Sequence, residues 1–134
     1  MDVIQLDHYN IRVPMEWLDR LSRFYVDVLG LVIGYRPPFS SQGYWLYGSG
    51  RPLLHITGFA AAGLATPADT GWFNHIALKC SDFEIAVARL VANGIAYAVE
   101  EIPQLQQRQI FFTDPVGVGI EINFDTPVLS LRQE

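Results

Sequence analysis

The sequence predicts an α+β fold made of two successive β-α-β-β-β modules. Three observations predict it. Two amphipathic helical stripes each end on a glycine. Each stripe is preceded by one strand-like segment and followed by three. Landmark residues of the first half recur in the second at a nearly constant offset. Leu6-Asp7-His8 corresponds to Phe73-Asn74-His75 at an offset of 67, Gly30-Leu31 to Gly94-Ile95 at 64, and His55-Ile56 to Glu121-Ile122 at 66. Identity between the halves is low, so the repeat rests on pattern and landmarks.

The first strand is expected over residues 3–13, with Ile4, Leu6, His8 and Asn10 on one side and Tyr9, Ile11 and Val13 on the other, so that both faces read as buried. Pro14 permits a helix to start, because a first-turn proline loses no intrahelical bond. Trp17, Leu18, Leu21, Phe24, Tyr25 and Val28 then recur at three- and four-residue spacing, and Gly30 supplies the left-handed cap. Residues 31–35, 44–47 and 53–57 read as the three following strands. Residues 58–71 are rich in Ala, Gly and Thr and read as plain linkage. The second module repeats the order. A strand over 72–79 precedes a capping box, in which Ser81 and Glu84 satisfy each other's backbone donors. Phe83, Val87, Leu90 and Val91 make the second stripe, and Gly94 ends it. Strands follow over 97–101, 109–113 and 119–124, with Asp114-Pro115-Val116-Gly117 as a tight turn between the last two. Residues 1–134 are thus expected to be one domain, with modules 3–57 and 72–124 joined by 58–71.

Composition limits the function classes. The chain is 50% hydrophobic and 17% charged, which suits a packed core rather than a disordered chain. Cys80 has no disulfide partner. A net charge of −5 with 9 basic residues gives no extended cationic face for nucleic acid. No apolar run approaches the roughly 18 residues of a membrane span. The N-terminal residues lack the basic and apolar regions of a secretory signal, so a cytoplasmic location is expected.

The three histidines, His8, His55 and His75, all fall in expected strands between apolar neighbours. Glu121 lies between Ile120 and Ile122, where a carboxylate is costly unless paired or coordinated. A single strand histidine is ordinarily a hydrogen-bonded core or rim residue, and a single strand glutamate an ion-paired one. Under the repeat, however, His8 is equivalent to His75 and His55 to Glu121. A pseudo-twofold axis would direct all four toward one centre, which makes them candidate ligands for a divalent metal.

Leu6-Asp7-His8, the run Phe24-Tyr25-Val26-Asp27-Val28-Leu29-Gly30-Leu31, Phe73-Asn74-His75-Ile76-Ala77, Ile110-Phe111-Phe112-Thr113-Asp114-Pro115 and Gly119-Ile120-Glu121-Ile122 together resemble the vicinal oxygen chelate superfamily. That superfamily holds glyoxalase I, fosfomycin-resistance thiol transferases, methylmalonyl-CoA epimerase, extradiol dioxygenases and bleomycin-resistance proteins. The likeness covers residues 6–124. It implies paired modules forming a U-shaped, partly open mixed sheet around a divalent metal, with ligands at His8, His55, His75 and Glu121. In glyoxalase I the position of His55 is usually glutamate, and in the epimerase it is similar to a glutamine; histidine departs from both. In the dioxygenases and fosfomycin-resistance enzymes only the positions of His8, His75 and Glu121 bind metal. The resemblance also implies a homodimer. In some members His8 and His55 would come from one subunit and His75 and Glu121 from its mate, and in others both modules of one chain close together.

Two histidines and one carboxylate make a facial triad suited to Fe(II) or another six-coordinate ion. With His55 added, tetrahedral zinc would be closed to substrate, whereas Ni, Co, Mn or Fe would keep two adjacent positions for neighbouring oxygens. The leading expectation is glyoxalase-like proton transfer beside a carbonyl, with a metal-stabilised enediolate and Glu121 as the base. The alternatives are extradiol ring cleavage on Fe(II), with His55 as acid or base, and a non-catalytic protein that binds a small molecule such as an antibiotic. Arg12, Arg36 and Arg108 are candidate contacts for an anionic substrate. Tyr44, Tyr47 and Tyr97 are candidate phenols, and Trp17, Trp45 and Trp72 candidate pocket walls.

Overall fold

The computed structural model describes residues 1–60 and 70–126. The chain divides into two compact units, Met1–Thr66 and Pro67–Glu134. The first holds β1 (Tyr9–Pro14), α1 (Met15–Leu29), β2 (Val32–Gly34), β3 (Gly43–Gly48) and β4 (Arg51–Phe59). The second holds β5 (His75–Lys79), α2 (Phe83–Ala92), β6 (Ala98–Ile102), β7 (Gln107–Thr113) and β8 (Gly119–Asp125). Each unit builds its own open, mixed four-stranded sheet, in the order β1-β4-β3-β2 and β5-β8-β7-β6. In both, the first strand pairs parallel with the last, and the other pairings are antiparallel. The expected β-α-β-β-β order is therefore present twice, in an α+β fold.

Strand alternation decides what each face carries. In the first unit Ile11, Val13, Leu46, Leu54 and Ile56 point to one side and are buried. Helix α1 contacts β1, β3 and β4, and buries Trp17, Leu18, Leu21, Phe24, Tyr25 and Val28. Each such side chain contributes on the order of 1.5–3 kcal/mol when fully removed from water. Gly30 ends the helix at φ 71°; its N–H bonds to the Val26 carbonyl at 3.1 Å and the Leu31 N–H to Tyr25 at 3.2 Å. The opposite sheet face keeps Asn10, Arg12, Trp45, His55 and Thr57. In the second unit Ile110, Phe112, Ile120, Ile122 and Phe124 are buried, while His75, Gln109, Glu121 and Asn123 share the other face by register.

Several boundaries differ from the sequence expectation, each for a physical reason. The first strand begins at Tyr9 and not at residue 3; Val3, Ile4 and Leu6 are exposed. Tyr9 already pairs with Leu54, and beyond it β4 offers Pro52, which has no N–H to donate. His8 thus lies one residue ahead of the strand. Likewise β5 starts at His75, because its partner Gly119 directly follows a turn and nothing remains to pair with residues 72–74. Trp72 is fully exposed. The Ser81–Glu84 capping box does not form. Asp82 is the N-cap instead, and its carboxylate accepts the Ile85 N–H at 3.3 Å. Of the second stripe only Leu90 is fully buried, and Val91 is exposed. Neighbouring helical residues stand about 100° apart, so Leu90 and Val91 cannot face the same way. Strand β4 runs through Phe59 into the expected linkage; residues 61–69 of that linkage and residues 127–134 lie outside the described residues. The Asp114–Gly117 turn is present. Gly117 N–H bonds to the Asp114 carbonyl at 3.1 Å, and the buried Asp114 side chain accepts from Val116 and Val118 N–H, each at 2.9 Å. Among the described residues no helix is long and apolar enough to cross a membrane.

Candidate functional site

In the first unit the parallel register places Asn10 beside His55, and the antiparallel register places Trp45 on its other side. His8, just ahead of β1, completes the group. The His8 and His55 rings stack at 3.8 Å with 14° between planes, and His55 stacks on Trp45 at 4.0 Å and 9°. His55 is thereby held between two flat rings. Its Nε2 is buried and has no hydrogen-bond partner, while the ring bonds to the Pro52 backbone. Burial, and then the neighbouring His8, push the His55 imidazole below its ordinary range. The ring is therefore held neutral, the form in which imidazole binds a metal. His8 Nδ1 lies 2.7 Å from the Asp7 carboxylate. That bond to His8 lowers the Asp7 carboxyl below the usual range, and leaves His8 Nε2 as the ring nitrogen still to be used.

The second unit repeats the arrangement with different chemistry. His75 Nδ1 lies 2.7 Å from the Asn74 side-chain oxygen, the counterpart of Asp7. His75 Nε2 lies 3.2 Å from Glu121 Oε1. The other carboxylate oxygen accepts a hydrogen bond from Gln109 Nε2 at 3.1 Å. Glu121 is only 9% exposed, so both of its oxygens are held in place away from bulk water.

Each unit thus joins the two candidate ligands it contains, His8 with His55 and His75 with Glu121. Neither unit by itself gathers three His, Cys, Asp or Glu side chains placed to hold a metal, among the described residues. The sequence reading missed Gln109. The signal was present in the strand pattern: Gln109 lies opposite Asn123, one diagonal step from Glu121 on the same face. It also missed the part played by Asp7 and Asn74, each directly before a histidine.

The remaining candidates separate clearly. Arg36 lines a hollow of about 460 Å³ together with His8, Trp45 and His55. Arg12 lies over the Phe59 ring at 4.3 Å, and Arg108 lies over Phe83 and pairs with Glu101. Tyr44 donates to Asp19 at 2.6 Å, which raises its phenol above the ordinary range, and Tyr47 donates to the Tyr35 carbonyl. Trp17 is core, and Tyr97 and Trp72 are exposed. Burial raises the Cys80 thiol, which has no disulfide partner.

Comparison with known proteins agrees with this architecture. A fosfomycin resistance protein, FosX, from Listeria monocytogenes, solved with Mn(II) and 1S,2S-dihydroxypropylphosphonic acid, is similar at TM-score 0.68 and 19% identity, over 98% of this chain and 100% of that one. An antibiotic binding protein from Streptomyces is similar at TM-score 0.66 and 20% identity, over 94% and 99%. A lactoylglutathione lyase from Agrobacterium tumefaciens is similar at TM-score 0.63 and 18% identity, over 90% and 92%. At these identities the likeness is one of fold. No curated protein sequence matches. The sequence itself matches the family profile over residues 5–122, and the chain belongs to the Glyoxalase/Bleomycin resistance protein/Dioxygenase superfamily.

Proposed function

We propose that the chain is a divalent-metal-dependent enzyme that moves a proton beside a carbonyl in a small molecule bearing two neighbouring oxygens, in the manner of glyoxalase I. The observation that carries this reading is the pairing of repeat-related donors: one orphaned, neutral imidazole in the first unit and one buried carboxylate against an imidazole in the second. His8, His55, His75 and Glu121 would hold the ion, and three imidazoles with one carboxylate suit six-coordinate Fe, Ni, Co or Mn; Zn would serve with His55 off the ion. When bound, the ion supplies positive charge that stabilises negative charge developing on substrate oxygen. Asp7 and Asn74 orient the two histidines through Nδ1. Gln109 fixes Glu121 by one oxygen. Glu121 would take the proton from the hydroxyl-bearing carbon and return it to the neighbouring carbonyl carbon, while the hydroxyl proton passes to the former carbonyl oxygen; the hydroxyl-bearing carbon becomes the carbonyl, and the isomerisation needs no external oxidant. A homodimer in the cytoplasm is the setting this reading expects.

A second reading, binding without turnover, draws support from the aromatic and cationic hollow of the first unit, and from its likeness in fold to an antibiotic binding protein. The test is metal content of natively purified protein, followed by reconstitution with each candidate ion. Isomerisation of a methylglyoxal–thiol adduct by one reconstituted form supports the enzyme. Oxygen uptake with catechols that requires Fe(II) overturns it in favour of a dioxygenase. No metal uptake, with unchanged melting, leaves the binding protein.

A further inference from the structure

The hollow beside His8 and His55 contains a guanidinium whose position the structure accounts for in detail. Arg36 lies in the connection from β2 to β3. It donates from Nη1 to the Ser41 carbonyl at 2.9 Å and from Nη2 to Ser41 Oγ at 3.0 Å. Its Cζ lies 5.0 Å from the centre of the Phe39 ring. It packs over Gly43, where a Cβ would strike the Ile56 carbonyl and come within 3.1 Å of Nη2 and 3.2 Å of Cζ.

Ser41 and the Phe39 ring brace the guanidinium and leave it donors to spare. A guanidinium has five N–H donors, and Ser41 takes two. No carboxylate lies within ion-pair distance of Arg36 among the described residues. Asp7, which also lines the hollow, is bonded to His8. Among the arginines of this unit, Arg36 is the one that lines the hollow with His8 and His55. A half-buried cation fixed in place, with free donors and no anion, is built to receive one.

We propose that Arg36, seated over Gly43 and braced by Ser41, is the residue that selects the substrate, and that the substrate is a small organic acid whose carboxylate or phosphonate bonds the guanidinium while its apolar part lies beside Phe39 and Trp45. This rests on the reading of the His8–His55 face as the substrate site. It does not depend on what reaction follows.

The test uses the full-length, metal-free protein. Phenylphosphonate, benzoate and neutral benzyl alcohol are titrated while the Trp45 indole N–H, present in every form, and the Arg36 Nε–H, identified by its loss in Arg36→Gln, are followed by NMR. The expected result is a shift with the acids, and acid binding at least tenfold weaker in Arg36→Gln. Benzyl alcohol should bind weakly and equally to both forms. Arg36→Lys, which keeps the charge but not the planar fork, should fall between them, and serves if Arg36→Gln fails to fold. Preference for phenylphosphonate or for benzoate tells which acid group the site takes. Acid binding within twofold of wild type in both variants overturns the proposal, as does benzyl alcohol binding as tightly as the acids. Co(II) affinity measured in parallel separates the two readings. Arg36-dependent acid binding without Co(II) uptake removes the enzyme and keeps the acid site, and Co(II) uptake without it does the reverse.

Discussion

The two modules share one strand order and one register, yet they place different chemistry on equivalent positions. In the first, β1 and β4 bring His8 against His55, with Trp45 closing the stack. In the second, β5 and β8 bring His75 against Glu121, with Gln109 on the far oxygen. The anchors differ in the same sense, a carboxylate at Asp7 and an amide at Asn74. The helices differ as well: α1 has 15 residues and a broad buried face, whereas α2 has 10 and fully buries only Leu90. Backbone pairing fixes where a side chain is presented, and it leaves the identity of that side chain free. One register thus carries two different donor pairs, two stacked imidazoles in one unit and an imidazole beside a carboxylate in the other.

The largest effects should come from breaking the second pair. Glu121→Ala or His75→Ala should abolish metal uptake after reconstitution, measured by elemental analysis, because each removes a donor and one leaves its partner unsupported. His55→Ala should weaken uptake less if the first pair contributes only an outer contact, by about 10- to 100-fold. Equal loss in all three variants would make the pairs equivalent.

The helices give the next comparison. Leu21→Ala, at a fully buried position of α1, should cost about 2–5 kcal/mol in denaturant unfolding. Val91→Ala, exposed on α2, should cost less than about 0.5 kcal/mol. A large loss at Val91 would mean that α2 has a covering the comparison of helices leaves out.

The turns before the last strands differ too. The first module turns through Ser49 and Gly50, both at positive φ, while the second relies on the Asp114 carboxylate. Asp114→Ala should cost about 1–3 kcal/mol by stranding buried N–H groups, and Ser49→Ala far less.

The smallest expected effect is in pH dependence. His55 has a folded-state proton affinity below that of the unfolded chain, so the unfolded state binds more protons once the pH falls below the ordinary imidazole value of 6.5. Its contribution is fully present at higher pH and is lost as the pH falls through 6.5 toward the lowered folded value. In metal-free protein His55→Phe, which keeps a ring between His8 and Trp45, should flatten the stability slope between about pH 7 and 5.5. Asp7 and Arg36 face the same ring and are unchanged in that comparison. An unaltered slope would mean that His55 takes up a proton as easily folded as unfolded.

Much of the fold was legible in the sequence. The stripe from Trp17 to Val28, the glycines at 30 and 94, and the Asp114 turn all depend on spacing or on local backbone chemistry, which neighbours in sequence carry by themselves. The start of β1 was not legible, because Val3, Ile4 and Leu6 have strand-like apolarity and only Pro52, 40 or more residues away, ends the ladder that would have paired them. The choice of Asp82 over Ser81 as helix cap turned on a backbone angle, φ 68° at Asp82, that no residue pattern announces. In the candidate site His8, His55, His75 and Glu121 stood out by residue type and repeat position. Gln109 did not, since its meaning depends on the β7–β8 register. Nor did the separation of Arg36 from Arg12 and Arg108, which share its composition signal and differ only in what lies beside them.

The sequence by itself determined the family, the twofold order of elements and the four side chains worth examining, because periodicity and landmark spacing survive without contacts. Only the tertiary structure decided which of those side chains meet, which nitrogen of each histidine is already committed, and which arginine shares a hollow with His8 and His55. Those are questions of distance and desolvation between residues as much as 47 positions apart, as Asn10 and Thr57 are, and they are settled only when the strands align.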